Sequence, residues 1–310
     1  MQRVALLFVI LSLLSGSVVN GICDNSPLDS WAQRHNEGSG YFGDVVYGDG
    51  IFVAVGHDPL GTIFRSIEGI TWNAMTSNSS ALLSGLTYGD GMFVATGSGG
   101  EILSSVDGIE WDRQGAGITS ATLSCAAYGK GTFVAGGSKG QLVRSEDGVV
   151  WKEYDTGSST WFYGLGYGNG LFVAVGSGGT IMTSPDGAVW TSQNSPVGSD
   201  LDSVLYGGSL FLAVGAQGVI LTSPDGIEWT KRSSGVTTDL SGTSLGGGYL
   251  VVVGKNGTIL SSRTGVSWKQ HTSGTTLDLV DVAYGNGTLV AVGENRSVYQ
   301  SAQLGIFLPS

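Results

Sequence analysis

The chain of 310 residues contains 53 Gly, only 13% charged residues against ~25% in an ordinary globular protein, and a net charge of −11. Its 41% hydrophobic residues include 8 Trp, 11 Tyr and 10 Phe, ample for a core, which excludes disorder, and its glycines lack the three-residue period of collagen. No Lys/Arg cluster offers the basic surface that nucleic acid needs, and past the N-terminus no apolar run is long enough to span a membrane.

The first segment stands apart. Arg3 precedes an apolar stretch over 4–14 and then Ser15-Gly16-Ser17, the layout of a secretory signal peptide. Residues 1–21 are expected to be cleaved after Gly21. Residues 22–310 then form one secreted domain, extracellular or periplasmic, with no stable membrane insertion. An uncleaved anchor is the rival reading, but the run is short for the ~20 residues of a span. Two cysteines, Cys23 and Cys125, allow one disulfide. Cys125 lies in an apolar run and also reads as a small buried hydrophobe.

Next comes Trp31-Ala-Gln-Arg34, which is similar to Trp229-Thr-Lys-Arg232 but has no repeat unit of its own. From Tyr41 onward the chain is periodic. Trp72, Trp111, Trp151, Trp190, Trp229 and Trp268 recur at spacings of 39 or 40, each ending a box such as Ser184-Pro-Asp-Gly-Ala-Val-Trp190. A seventh, worn box runs from Ser301 to Phe307. Each unit also has a run ending in Tyr-Gly or its equivalent, and a tight turn such as Asp49-Gly50 or Asn169-Gly170, suited to a type I′ hairpin. An apolar strand such as 171–176, a short Gly-rich loop and a third strand such as 180–184 follow. Trp is then expected to open a fourth strand. Four short antiparallel strands per ~40 residues make a propeller blade. The fold class is all-β: a seven-bladed β-propeller, its ring closed by residues 31–35 pairing into the seventh blade, which leaves no free sheet edge.

The box has a mechanical reading. Ser and Asp (Asp107, Asp147, Asp186, Asp225) hydrogen-bond the turn backbone, Gly takes the positive φ, and Trp wedges between sheets. On these residues the chain resembles the Asp-box (BNR) propellers, the repeat class of sialidases, sortilin-type receptors and photosystem II assembly-factor-like proteins. The resemblance spans nearly the whole mature chain. The usual box has one residue between Asp and Gly; here Asp186-Gly187 and its equivalents are adjacent, so the turn is one residue shorter. The arginine triad and Arg-Ile-Pro-type motif of sialidases are missing, so sialidase activity is not expected, and enzyme activity in general is less expected than binding.

No His, Cys or Glu pattern has metal-ligand spacing: His35, His57 and His271 stand alone. Neither a metal nor a cofactor is expected. His57-Asp58, in the one enlarged loop between second and third strands, reads as solvated. The informative positions are those where the copies differ on the face opposite the boxes. Six residues before the Tyr of Tyr-Gly stand Tyr41, Leu82, Thr122, Trp161, Asp200, Asp239 and Asp278. Tyr41, Trp161, Tyr163, Asp200, Asp239 and Asp278 are the candidate ligand-binding residues. Asp202 and Asp281 lie close by. The competing reading caps a loop with the Asp residues and packs a blade with the aromatics. Three functions fit: a secreted, non-enzymatic binding module for a glycan or protein, acting as a monomer; a glycoside hydrolase using Asp200, Asp239, Asp278 and Asp281; or an assembly factor for a secreted or membrane complex.

Overall fold

The structure, a computed structural model, describes residues 26–57, 61–115 and 117–304. The signal-peptide segment, Cys23, Asp58 and Phe307 lie outside the described residues. Alternation of apolar and small residues, broken at regular intervals by Gly-containing turns, dictates short antiparallel strands. They assemble into seven four-stranded sheets. Blade 1 spans 41–75, blade 2 spans 83–114, blade 3 spans 123–155, blade 4 spans 162–193, blade 5 spans 201–232 and blade 6 spans 240–271. Blade 7 takes its three inner strands from 279–301 and its outermost from Trp31–His35. Trp31 pairs with Ser301 and His35 with Val298, so the ring closes with the N-terminal strand, as the sequence implies.

The turn after each inner strand has positive φ at both central residues, from Asp49 and Gly50 to Asn286 and Gly287. This is the hairpin geometry that Asn-Gly and Asp-Gly favour. The Gly-rich loops after the second strand wind into single 3₁₀ turns, Ser98–Gly100, Ser138–Gly140, Ser177–Gly179, Ala216–Gly218 and Lys255–Gly257. One expectation needs correction. In five blades the outer strand starts after the box Trp, as in Asn73–Met75 and Thr191–Gln193; Trp opens it only at Trp151 and Trp31. The indole Nε1 of Trp72, Trp151, Trp190, Trp229 and Trp268 donates to the carbonyl of the box Gly three residues back, at 3.0–3.2 Å, which ties each indole to its own turn. Trp31 makes the same bond to the Leu28 carbonyl at 2.8 Å, so it supplies the seventh Trp of the ring.

The core lies between blades. Phe52, Phe93, Phe133, Phe172 and Phe211, all from second strands, are completely or almost completely buried. Each box Trp joins a core cluster that spans its own blade and the blade before it: Trp229 with Val173, Val175 and Phe211, Trp268 with Leu212, Val214 and Leu250, Trp31 with Val251, Val253 and Leu289. Burial of each such side chain contributes ~1.5–3 kcal/mol. Within the boxes, Ser184 Oγ accepts from Gly187 N at 2.9 Å, and Asp186 Oδ1 accepts from Ala188 N and Val189 N at 2.9 and 3.1 Å. Asp107, Asp147 and Asp225 make the corresponding bonds. Cys125, on the inner strand of blade 3, is buried and has no disulfide partner among the described residues, its Sγ bonding the Gly136 carbonyl.

Candidate functional site

Strand direction sorts the loops. The hairpins after the inner strands and the box turns share one face, and the 3₁₀ turns and the segments leading into each inner strand share the other. Around the axis a channel of about 650 Å³ runs between the inner strands. The ladder between first and second strands slips at one place in every blade, between Phe42 and Asp44 in blade 1 and between Leu201 and Ser203 in blade 5. The residue skipped is a β-bulge, and a bulge re-aims its side chain. Those seven residues are Gly43, Ser84, Ser124, Tyr163, Asp202, Ser241 and Val280, and all seven line the channel. Most are small. Tyr163 and Asp202, from adjacent blades, are the large polar ones.

The candidate residues form a rim above this ring. Trp161 is 41% exposed, stacks on Tyr163 at 6.0 Å and 29°, and donates Nε1–H to Ser124 Oγ at 2.7 Å. Blades 3 and 4 thus share an aromatic ledge. Asp200, Asp239 and Asp278 each accept a backbone N–H from the 3₁₀ turn of the blade before: Gly178 at 2.8 Å, Gln217 at 2.9 Å and Asn256 at 2.9 Å. Each Asp therefore latches two blades together. Asp239 also pairs with Lys255 at 2.7 Å. The Lys255 ammonium is drawn to Asp239 first and also feels Asp278 and Asp202, which raises its pKa. Tyr41 is 40% exposed and stands beside Glu294 and Asp278; burial, then those two charges, raise its hydroxyl pKa. Tyr163 and Asp239 reach the channel itself, while Tyr41, Trp161, Asp200 and Asp278 stand outside its lining.

Within the channel, burial and then the charges of Asp200 and Asp239 push the Asp202 carboxyl up to about 6. Asp44 and Asp281 meet side chain to side chain. Both line the channel and are half-buried. Asp281 Oδ2 accepts from Val45 N at 3.1 Å and Asp44 Oδ2 from Leu86 N at 2.7 Å, so the two carboxyls stitch blade 7 to blade 1 and blade 1 to blade 2. Burial and then the neighbouring Asp281 charge hold the Asp44 carboxyl well above the usual range, which suits a pair sharing one proton. Asp44 and Lys255 are the site residues that sequence reasoning missed. Among the described residues no cluster of three or more His, Cys, Asp and Glu is placed to hold a metal.

No family model and no curated protein matches the chain. Solved structures do match. YCF48 bound to a D1 peptide aligns with a TM-score of 0.72 over 90% of this chain and 96% of that one, at 16% identity. YCF48 from Cyanidioschyzon merolae aligns at 0.69, over 88% and 98%, at 14%. Virginiamycin B lyase from Staphylococcus aureus aligns at 0.77, over 87% and 97%, at 13%. At these identities the likeness is one of fold. The neighbours include a protein with a bound peptide and an enzyme.

Proposed function

We propose that the chain is a secreted, monomeric binding platform of the Asp-box class, and that the channel mouth opposite the boxes takes a basic segment of a polypeptide partner. One observation carries this reading: the mouth brings Asp202, Asp239 and Asp278 around Lys255, with Asp200 beside Asp202 and Glu294 beside Tyr41, and Asp239 already engages the Lys255 cation. A Lys or Arg side chain complements that charge, and the exposed Trp161 ring gives its stem and cation a surface. The peptide bound by YCF48, a fold neighbour, supports a polypeptide ligand. If that segment belongs to a larger complex, the platform acts as an assembly factor. The Trp161 face is the observation that favours a glycan, since an exposed indole also covers a sugar ring. The mouth supports binding over glycoside hydrolysis: Asp239 is ion-paired and Asp281 is bonded to Asp44.

The experiment is a parallel screen of the mature chain, beginning at Ile22, on an array of peptides of graded charge and on a glycan array. Retention on Lys/Arg-rich peptides supports the reading. Retention on glycans alone replaces it with the carbohydrate alternative.

A further inference from the structure

On the outer part of blade 6, away from the channel, Ser261, His271 and Asp29 stand in hydrogen-bonded series. Ser261 Oγ is 2.7 Å from His271 Nε2, and His271 Nδ1 is 2.7 Å from Asp29 Oδ1. Ser261 lies on the third strand, Thr258–Ser262, and His271 ends the outer strand, Lys269–His271. Asp29 comes from the turn Pro27–Asp29, just before the strand that closes the ring. Burial raises the Asp29 carboxyl, but the hydrogen bond and charge of His271, with Lys269, overcome it and hold the group below its usual range. An ionised carboxylate only accepts, so Nδ1 carries the proton. Burial lowers the His271 pKa against the pull of Asp29, which keeps the ring neutral at pH 7. Its Nε2 lone pair then faces Ser261, and the Ser261 hydroxyl donates to it.

Other blades make a contact at the same place with different chemistry. Gln114 donates to Ser104 at 3.0 Å, Gln193 to Thr183 at 2.8 Å and Arg232 to Thr222 at 2.8 Å. Those partners are donors, so the hydroxyl they face has no base to take its proton. The fold's need for a cross-strand bond is met by Gln; blade 6 has a base instead, and backs it with a carboxylate. A cleft of about 450 Å³ opens beside the pair, lined by Ser261, His271, Tyr249, Trp268, Arg263 and Lys269. Ser261 is only 5% exposed, so the approach is narrow.

We infer that Ser261 is an activated nucleophile that hydrolyses small aryl esters, with His271 as general base and Asp29 as the residue that positions it. The arrangement has the roles of a Ser-His-Asp triad, which are defined by geometry and not by fold. Ser261 Oγ attacks the ester carbonyl carbon while its proton passes to His271 Nε2. The carbonyl oxygen takes the negative charge, with Arg263 and Lys269 as the cations of the cleft. The carbon–oxygen bond to the leaving group then breaks, and that group departs with the proton from His271. Water attacks the acyl-serine, gives its proton to His271, and releases the acid as Ser261 recovers its own. The Trp268 ring suits an aryl group, beside a Tyr249 ring that Arg263 already covers at 4.3 Å, and the narrow approach excludes bulky acyl chains. This site is independent of the channel mouth.

The test treats the full mature chain with a fluorophosphonate probe, which labels serines whose hydroxyl is activated, and maps the label by peptide mass spectrometry. Hydrolysis of p-nitrophenyl acetate is followed in parallel. Label on Ser261 is expected, with both signals lost in Ser261→Ala. His271→Gln installs the residue that blades 2 and 4 already carry, so it should keep the melting temperature while labelling slows at least ~100-fold. Asp29→Asn should slow labelling to an intermediate rate. Absence of label on Ser261 in the folded chain, or equal labelling of His271→Gln, overturns the inference and leaves a structural bond between strands.

Discussion

The Tyr47 ring of blade 1 lies directly on Gly285 of blade 7, so close that a Cβ at 285 would overlap it. The same pairing runs round the ring, from Tyr88 on Gly48 to Tyr284 on Gly246, with Leu245 on Gly207 as the one aliphatic member. The Tyr-Gly repeat is thus an interblade contact in which each Gly makes room for the next blade's ring. Gly285→Ala should destabilise the fold by about 1–3 kcal/mol, the usual cost of overpacking. Adding Tyr47→Leu, the residue blade 6 tolerates, should recover part of the loss. Urea unfolding of the four variants measures the coupling, and simple additivity would contradict the contact.

Ring closure makes a second prediction. Trp31 packs into the cluster between blades 6 and 7 while its strand covers Val298–Ser301. Trp31→Ala should cost roughly 3 kcal/mol, and removal of residues 22–36 should bare the third strand of blade 7, with a much lower melting temperature or aggregation. An unchanged melt would mean that another segment, such as 306–308, supplies the edge.

The box Trp residues separate stability from binding. Trp190→Ala should destabilise by about 3–5 kcal/mol, while the folded fraction keeps its affinity for any ligand of the mouth. Lost binding with an unaltered melt would move the site to the box face.

The acids predict opposite pH limbs. Backbone N–H bonds depress the Asp107, Asp147, Asp186 and Asp225 carboxyls, so their stabilisation holds above the unfolded value near 3.8 and is lost as pH falls through the folded one. Asp202, facing Asp200, Asp239 and Lys255, is raised to about 6. The native state then binds more protons than the unfolded chain between those values, so stability falls as pH rises through that window, by on the order of 2–3 kcal/mol from this group. Asp202→Asn should flatten the fall in urea midpoint between pH 4 and 7. Parallel curves for both proteins would refute the assignment.

Much of the ring was legible because the repeat is mechanical: Trp at a fixed period, Gly where φ is positive, and Trp31-Ala-Gln-Arg34 as an outer strand lacking a blade. Trp31 was recognised by its likeness to Trp229, and the structure gives both the same indole bond. The channel was less legible. Tyr163 and Asp202 line it through a bulge, and a register slip leaves no mark in an apolar pattern. The column that holds them, with Gly43 and three Ser, was the available signal. Asp44 and Asp281 meet only because the ring closes, a contact that local sequence does not encode. Lys255 was hidden as the first residue of a 3₁₀ turn whose equivalents are Ser98 and Ala216.

The acidic mouth as a binding surface is tested most directly by titrating a Lys/Arg-rich peptide retained on the array against the wild-type chain, Asp202→Asn and Trp161→Ala at two salt concentrations. The account predicts that each substitution weakens binding by about 1–3 kcal/mol, that salt weakens the wild-type complex, and that Asp202→Asn reduces this salt dependence. Affinity indifferent to both substitutions and to salt would contradict it.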